Sequence, residues 1–179
     1  MTSLARFETT VLPHLDAAYN LARWITRNDQ DAQDVVQESF VRALRYFDRL
    51  KGSDARPWLL GIVRNTSYTW LEKNRPAEVV AVDDIDAVAS LDSDVSRSSS
   101  AGNPEVLLLQ SANRKLVNQA LEELPVGFRE VIVMREIEDM TYKDIAAVAG
   151  IPLGTVMSRL SRGREVLKRA IENRMKRAS

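Results

Sequence analysis

The sequence predicts an all-α protein: two small helical domains joined by a flexible acidic linker. Three observations predict it. Apolar residues recur at three- and four-residue steps along most of the chain, and no stretch carries the alternation of a strand. The runs are punctuated by Pro, Gly and N-capping residues. Between the two helical blocks the texture changes: "PAEVVAVDDIDAVASLDSDVSRSSSAGNP" (76–104) is rich in Asp, Ser and Ala, starts and ends at Pro, and lacks aromatics. The expected division is a first domain over 1–75, a linker over 76–105 and a second domain over 106–179.

In the first block, "DAQDVVQESFVRALRYFDR" (31–49) places Ala32, Val36, Phe40, Ala43 and Phe47 on one helical face. The opposite face holds Asp31, Asp34, Glu38, Arg42 and Arg45. A further helix begins near "ARPWLLGIVRNTSYTWLEKNR", with Pro57 suited to a first turn. Its inner face is Leu59, Ile62, Val63, Thr66 and Trp70, and Arg64, Asn65, Tyr68 and Arg75 lie opposite.

In the second block, Leu116, Val117, Ala120, Leu121 and Leu124 form an amphipathic helix stopped by Pro125, and Phe128, Val131, Ile132 and Met134 form another. "TYKDIAAVAG" is a short helix with Thr141 as N-cap and Gly150 as C-terminal cap. "PLGTVMSRLSRGREVLKRAIENRMKR" is a long one. A helix from Tyr142 to Ala149, a tight turn through Gly150, Ile151 and Pro152, and a second helix opening at Gly154 and Thr155 make a helix-turn-helix. On the second helix Val156, Leu160, Gly163, Leu167 and Ile171 share the inner face. Ser158, Ser161, Arg162, Glu165 and Arg169 lie opposite, with Thr155, Arg159 and Arg164 at the margins. Such a helix presents its first two turns to a major groove, where Arg pairs with guanine and Ser and Thr adapt.

Net charge is zero, but it is unevenly spread: net +2 over 1–75, −6 over 76–105 and +4 over 106–179. Residues 159–179 carry eight basic and two acidic side chains, a charge that binds phosphates and releases counterions. The chain has no cysteine and one histidine, His14, no glycine-rich phosphate loop, and no carboxylate cluster at ligand spacing. The reading is therefore of a non-enzyme without metal or cofactor. No segment approaches the roughly 18 to 20 apolar residues of a membrane span, and the N-terminus has no apolar signal core, so a cytoplasmic protein without membrane insertion is expected.

The two blocks in this order, "DAQDVVQESFVRALRYFDRL…ARPWLLGIVRNTSYTWLEKNR" and "ALEELPVGFREVIVMREIEDMTYKDIAAVAGIPLGTVMSRLSRGREVLKRAI", resemble the sigma factors of the extracytoplasmic-function (ECF) class. The resemblance covers about residues 5–75 and 110–172. It implies sigma2 and sigma4 domains, binding to core RNA polymerase, promoter-specific initiation, and control by an anti-sigma factor. It implies that Asp31, Asp34, Gln37, Glu38 and Arg42 dock on the clamp of the largest polymerase subunit. It assigns Arg64, Asn65, Tyr68, Asn74 and Arg75 to reading and melting the −10 element, with Asn65 the base reader. Thr155, Met157, Ser158, Arg159, Ser161 and Arg162 are assigned to the −35 element, and the helices of "LPVGFREVIVMREIEDMTY" to the polymerase flap. Met157 departs from the many relatives with a basic residue there; it can meet a thymine methyl but cannot pair with guanine. The linker is expected to thread the basic active-site cleft and RNA exit path. A response-regulator output protein would need a receiver domain in residues 1–75, which show no βα alternation. A protein-binding mimic would not need the basic segment after Arg159.

Overall fold

The computed structural model describes residues 2–81 and 114–178. Among these, every regular element is helical. A first lobe comprises α1 (Ser3–Val11), a 3-10 turn (Leu12–His14), α2 (Leu15–Thr26), α3 (Asp29–Tyr46), a second 3-10 turn (Phe47–Arg49) and α4 (Ala55–Asn74). A second lobe comprises α5 (Arg114–Glu123), α6 (Val126–Ile132), a π-helical turn (Val133–Ile137), α7 (Tyr142–Ala149) and α8 (Leu153–Ala178).

Local chemistry sets the helix starts. Thr2, Asn28, Asp54 and Thr141 each have extended backbone and accept a hydrogen bond from an N–H of the following first turn, which satisfies a donor the helix itself cannot. The Asn28 cap starts α3 at Asp29, two residues before the expected 31, and the helix gives way at Phe47 to the 3-10 turn. Residues 76–81, expected as the beginning of the linker, are helical, and Glu78 forms ion pairs with Arg27 and Arg75. The rest of the expected linker, 82–105, lies outside the described residues, as do 106–113.

The first lobe is a three-helix packing of α2, α3 and α4 with α1 laid across it. Leu21, Ile25, Ala32, Ala43, Leu59 and Val63 have no exposed surface. Phe7 of α1 stacks edge-on against Phe47 with centroids 5.4 Å apart, so burial and ring geometry both hold α1 down. In the second lobe α8 packs on α5, α6 and α7. Its Val156, Leu160, Leu167 and Ile171 are buried as the periodicity predicts. Gly163 lets α8 approach α6: a Cβ there would lie 3.0 Å from Ile132 Cδ1 and 3.2 Å from Phe128 Cβ.

The two lobes pack together, α4 against α7 and α2 against α6. This gives α4 two buried sides. Leu59, Val63 and Thr66 of the expected inner face are buried, with Ile62 and Trp70 partly so; Leu60 and Tyr68, one turn to either side of Arg64, are buried as well.

Candidate nucleic-acid and polymerase interfaces

The angle of α8 is fixed by the turn before it. Thr141 Oγ1 accepts from Asp144 N at 3.1 Å and starts α7. Gly150 ends it in the left-handed region, at φ 67°, and the Ile151 N–H reaches back to Ala146 O at 3.1 Å. A side chain at Gly150 would be strained there. Pro152 O then accepts from Thr155 N at 3.0 Å and from Val156 N at 3.1 Å, which opens α8. With Val156 and Leu160 inward, Met157, Ser158 and Ser161 are exposed, and Thr155 and Arg162 are half-buried beside them. These five residues form one outward strip over the first two turns.

Arg159, expected beside them, is buried. Its side chain is 4% exposed, and Nη1 lies 3.9 Å from Glu130 Oε1 on α6. A long side chain at the margin of the inner face has folded inward, to a carboxylate with no exposed surface. Some of the basic charge along α8 is also matched inside the lobe: Arg164 pairs with Glu136 at 2.8 Å, and Arg174 pairs with Glu123 and donates to Gln119 Oε1 at 3.1 Å.

The residues expected to read the −10 element fall into two groups. Asn65 and Asn74 are exposed, and Arg75 is half-buried with its guanidinium over the Trp70 ring, 5.1 Å from the centroid. Arg64 and Tyr68 are covered by the second lobe. Arg64 Nε donates to Glu130 Oε2 at 3.0 Å and Nη2 to Oε1 at 3.2 Å, while the Tyr68 ring lies 3.7 Å from the same guanidinium. Burial alone would lower the Arg64 pKa; the Glu130 carboxylate more than offsets this and holds it above its ordinary value. For Tyr68, burial first and Glu130 second raise the phenol above its ordinary value.

On α3 the expected polymerase-facing residues do share one surface. Asp34, Gln37 and Glu38 are exposed, with Asp31 and Arg42 half-buried. Glu38 and Arg42 pair one turn apart at 2.6 Å, and Asp34 accepts from Gln30 at 3.2 Å. Exposed pairs of this kind contribute little stability, at most about 1 kcal/mol; they leave a polar surface free to select a partner by charge.

Two residues that the sequence reading passed over join the lobes. Glu130 meets both Arg64 and Arg159. Arg129, its neighbour, donates to Trp24 O at 2.6 Å and Ile25 O at 3.3 Å in α2, and to Leu124 O at 2.7 Å just beyond α5. Arg75 Nη1 adds a bond to Thr26 O at 3.0 Å. The last turn of α2 is therefore capped by arginines, one of them from the other lobe, where cations suit the negative end of the helix dipole. No local pattern in the sequence marked Arg129 and Glu130, because what covers their side of α6 is the surrounding fold. That helix is seven residues long and buried on every side, so neither has a solvated face to occupy.

Comparison with known proteins decides the family. The family description "Sigma-70 region 2" matches residues 10–76, and "Sigma-70, region 4" matches residues 114–167. The ECF RNA polymerase sigma-E factor of Salmonella typhimurium strain LT2 is 35% identical over 146 residues, which cover 79% of this chain and 74% of that protein. The chain is an ECF-class RNA polymerase sigma factor. The ECF RNA polymerase sigma factor SigE of Mycolicibacterium smegmatis is similar to this sigma factor as well, 30% identical over 167 residues covering 93% of this chain and 62% of that one. Among solved structures, the sigma factor RpoE of Bartonella quintana in complex with the anti-sigma factor NepR superposes with a TM-score of 0.68 at 27% identity, covering 93% of this sigma factor and 97% of that chain. CnrH in complex with the cytosolic domain of CnrY superposes with a TM-score of 0.63 at 26% identity, covering 93% and 88%. The family is one of transcription initiation factors, and its two matched regions fall one in each lobe. Among the described residues this sigma factor has no helix long and apolar enough to cross a membrane and no metal-holding group of His, Asp or Glu side chains.

Proposed function

We propose that this sigma factor binds core RNA polymerase in the cytoplasm through the α3 surface of Asp31, Asp34, Gln37, Glu38 and Arg42, and that α8 and α4 read the two promoter elements. The observation that carries the reading is the strip of Thr155, Met157, Ser158, Ser161 and Arg162, held outward by the Thr141 and Gly150 caps. Ser and Thr supply adaptable donors and acceptors, Arg162 the donor fork for guanine, and Met157 an apolar contact for a thymine methyl. Arg159 acts from beneath this strip, through Glu130, and is a positioning residue for α8. On α4, Asn65 offers hydrogen bonds to a base, with Asn74 and Arg75 after it along the strand; Arg64 and Tyr68 join them when the lobes part. Base stacking on Tyr and charge from Arg are what a single strand requires.

The second lobe meets the polymerase flap, and the acidic segment 82–105 spans the basic cleft between the two docking points. The boundaries that suit these roles are 1–81 for the first domain and 114–179 for the second. An anti-sigma factor holds the protein inactive; the similar RpoE of Bartonella quintana is bound by the anti-sigma factor NepR, which supports the reading.

The test is run-off transcription with core polymerase on a pool of promoter fragments. Wild-type protein should select a subset sharing two spaced elements. Arg162→Ala should relax selection at one element by about 1–3 kcal/mol per lost base contact, and Asn65→Ala should relax the other, while both variants still bind core. If selection is unchanged in both variants, these residues do not read the promoter.

A further inference from the structure

Glu130 has no exposed surface and holds one arginine from each promoter-reading helix: Arg64 of α4 with two hydrogen bonds, and Arg159 of α8 at 3.9 Å. The guanidinium fork that fits a carboxylate is the same fork that fits a phosphate or a base edge. While Glu130 fills it, Arg64 cannot take a nucleic-acid partner. Tyr68, pinned beneath the same guanidinium, cannot stack on a base.

We propose that Glu130 is an internal latch: it keeps the free chain closed by occupying the DNA-reading fork of Arg64, and it couples release of α4 to the placement of α8. The regulatory meaning rests on the promoter-reading roles given above; the latch itself is a property of the chain alone.

The arrangement of charges makes the latch reversible. A buried carboxylate stripped of every cation is costly, and so is a buried arginine without a partner. Parting the lobes strips neither. Glu130 keeps Arg159, which belongs to its own lobe, and Arg64 moves into water or onto a strand. Of the other interlobe polar contacts, Glu138 accepts from Arg56 Nη2 at 3.2 Å and from Asn20 Nδ2 at 3.2 Å, Glu122 O accepts from Arg27 at 3.1 Å, and Arg129 donates to Trp24 O and Ile25 O. When the lobes part Arg129 keeps Leu124 O and Glu122 O of its own lobe, and the end of α2 is open to water. A partner that binds only the open form, such as the polymerase or the promoter, shifts the population by its differential affinity.

The chain has no cysteine, so Ser53→Cys and Glu172→Cys, both at exposed positions and one in each lobe, accept a donor and an acceptor dye on the full-length protein. Single-molecule energy transfer without polymerase should show a dominant high-transfer population. In Glu130→Gln, which keeps the size and loses the charge, the low-transfer population should rise at least tenfold with helical circular dichroism unchanged. Arg64→Gln breaks the same contact from the other lobe, leaves Arg159 alone, and should open the chain similarly.

An open wild-type chain, or a Glu130→Gln distribution like wild type, overturns the latch. Opening by Glu130→Gln but not by Arg64→Gln also overturns it, because the effect would then lie within the second lobe. Binding of the same proteins to core polymerase separates the two claims. Tighter apparent binding of Glu130→Gln by the factor that the open fraction gains supports autoinhibition, and equal binding of open and closed forms overturns it. If none of the proteins binds core while the energy transfer behaves as stated, the latch stands and the polymerase-docking assignment fails.

Discussion

Replacing Arg129 by Met deletes a guanidinium and keeps a buried stem of similar length. The magnitude follows from its partners. Nε donates to Trp24 O at 2.6 Å, Nη1 to Leu124 O at 2.7 Å and Nη2 to Ile25 O at 3.3 Å. Trp24 and Ile25 sit in the last turn of α2, where carbonyls have no intrahelical donor. Their neighbours are served otherwise, Arg23 O by the Arg27 N–H and Thr26 O by Arg75. Glu122 O, which also accepts from Nη1 at 3.3 Å, keeps Arg27 as a donor, so three carbonyls lose a donor at about 1–3 kcal/mol each, a gross loss of about 3–9 kcal/mol. Against this stands the desolvation of the cation. Burial lowers the Arg129 pKa to about 10, well below its ordinary value, and at about 1.4 kcal/mol for each pH unit of that fall removing the charge recovers about 3 kcal/mol. The net loss centres on about 3 kcal/mol, or a fall in Tm of about 6–12 °C for a chain of this size. Thermal melting of the full chain, followed by circular dichroism at 222 nm, measures it. Arg129→Lys should fall between the two, since an ammonium reaches fewer of the carbonyls. A Met variant that melts at or above the wild-type temperature would refute the reasoning. It would show that desolvation cancels the hydrogen bonds, as it does in some buried ion pairs replaced by apolar groups.

Gly163→Ala sets two effects against each other. Alanine gains about 1 kcal/mol of helix propensity, but its Cβ meets Phe128 Cβ, which the α6 backbone holds in place, at 3.2 Å. Overpacking of this kind costs about 1–3 kcal/mol, so the expected net loss is about 1 kcal/mol; a stabilised variant in a denaturant titration would show that α8 can slide on α6 at no cost. The alkaline limb of stability should report Tyr68. Its folded-state pKa is raised above 10.0 by burial and by Glu130, so its contribution is fully present below pH 10 and is lost as pH climbs through and beyond it. Absorbance at 295 nm should show Tyr68 ionising above pH 10 in step with loss of helix, and Tyr68→Phe should abolish that step. An absorbance curve that Tyr68→Phe leaves unchanged above pH 10, with the helices intact, would contradict the burial.

How far the sequence could be read depends on the range of the forces involved. The helix-turn-helix was legible in full because its rules are local. Thr141 and Gly150 act within a few residues, and the expected bounds Tyr142 to Ala149 are those observed. The inner face of α8 followed from periodicity alone. Arg159 did not, because a helical wheel gives the angle of a Cβ and not the direction in which a long side chain then bends. Its destination, Glu130, lies 29 positions earlier in the chain. Tyr68 and Arg64 were assigned to the side of α4 opposite its apolar stripe, and that assignment was sound as geometry. What covers that side is the other lobe, and no local pattern announces it. The helical residues 76–81 escaped the sequence reading for a related reason. Pro76 reads as a helix breaker, but the residues after it coil once more, and Glu78 is tied back to Arg27 and Arg75.

The composition of the covered side of α4 bears on whether the lobes are a permanent pair. Toward its own lobe α4 presents Leu59 and Val63, neither with any exposed surface. Such a face loses roughly 1.5–3 kcal/mol per side chain when returned to water. Toward the second lobe it presents Arg56, paired with Glu138, and Arg64, paired with Glu130 over the Tyr68 ring. The guanidinium and the phenol are well solvated once released. The apolar residues of the two lobes do form one continuous core, but a contact that includes such polar groups is closer to the interfaces of domains that move relative to one another. The same two groups suit an extruded strand, the ring by stacking and the arginine by charge. With the promoter-reading role proposed for Arg64 and Tyr68, one set of side chains would serve both the closed contact and the open function, and α4 would need no separate surface for each.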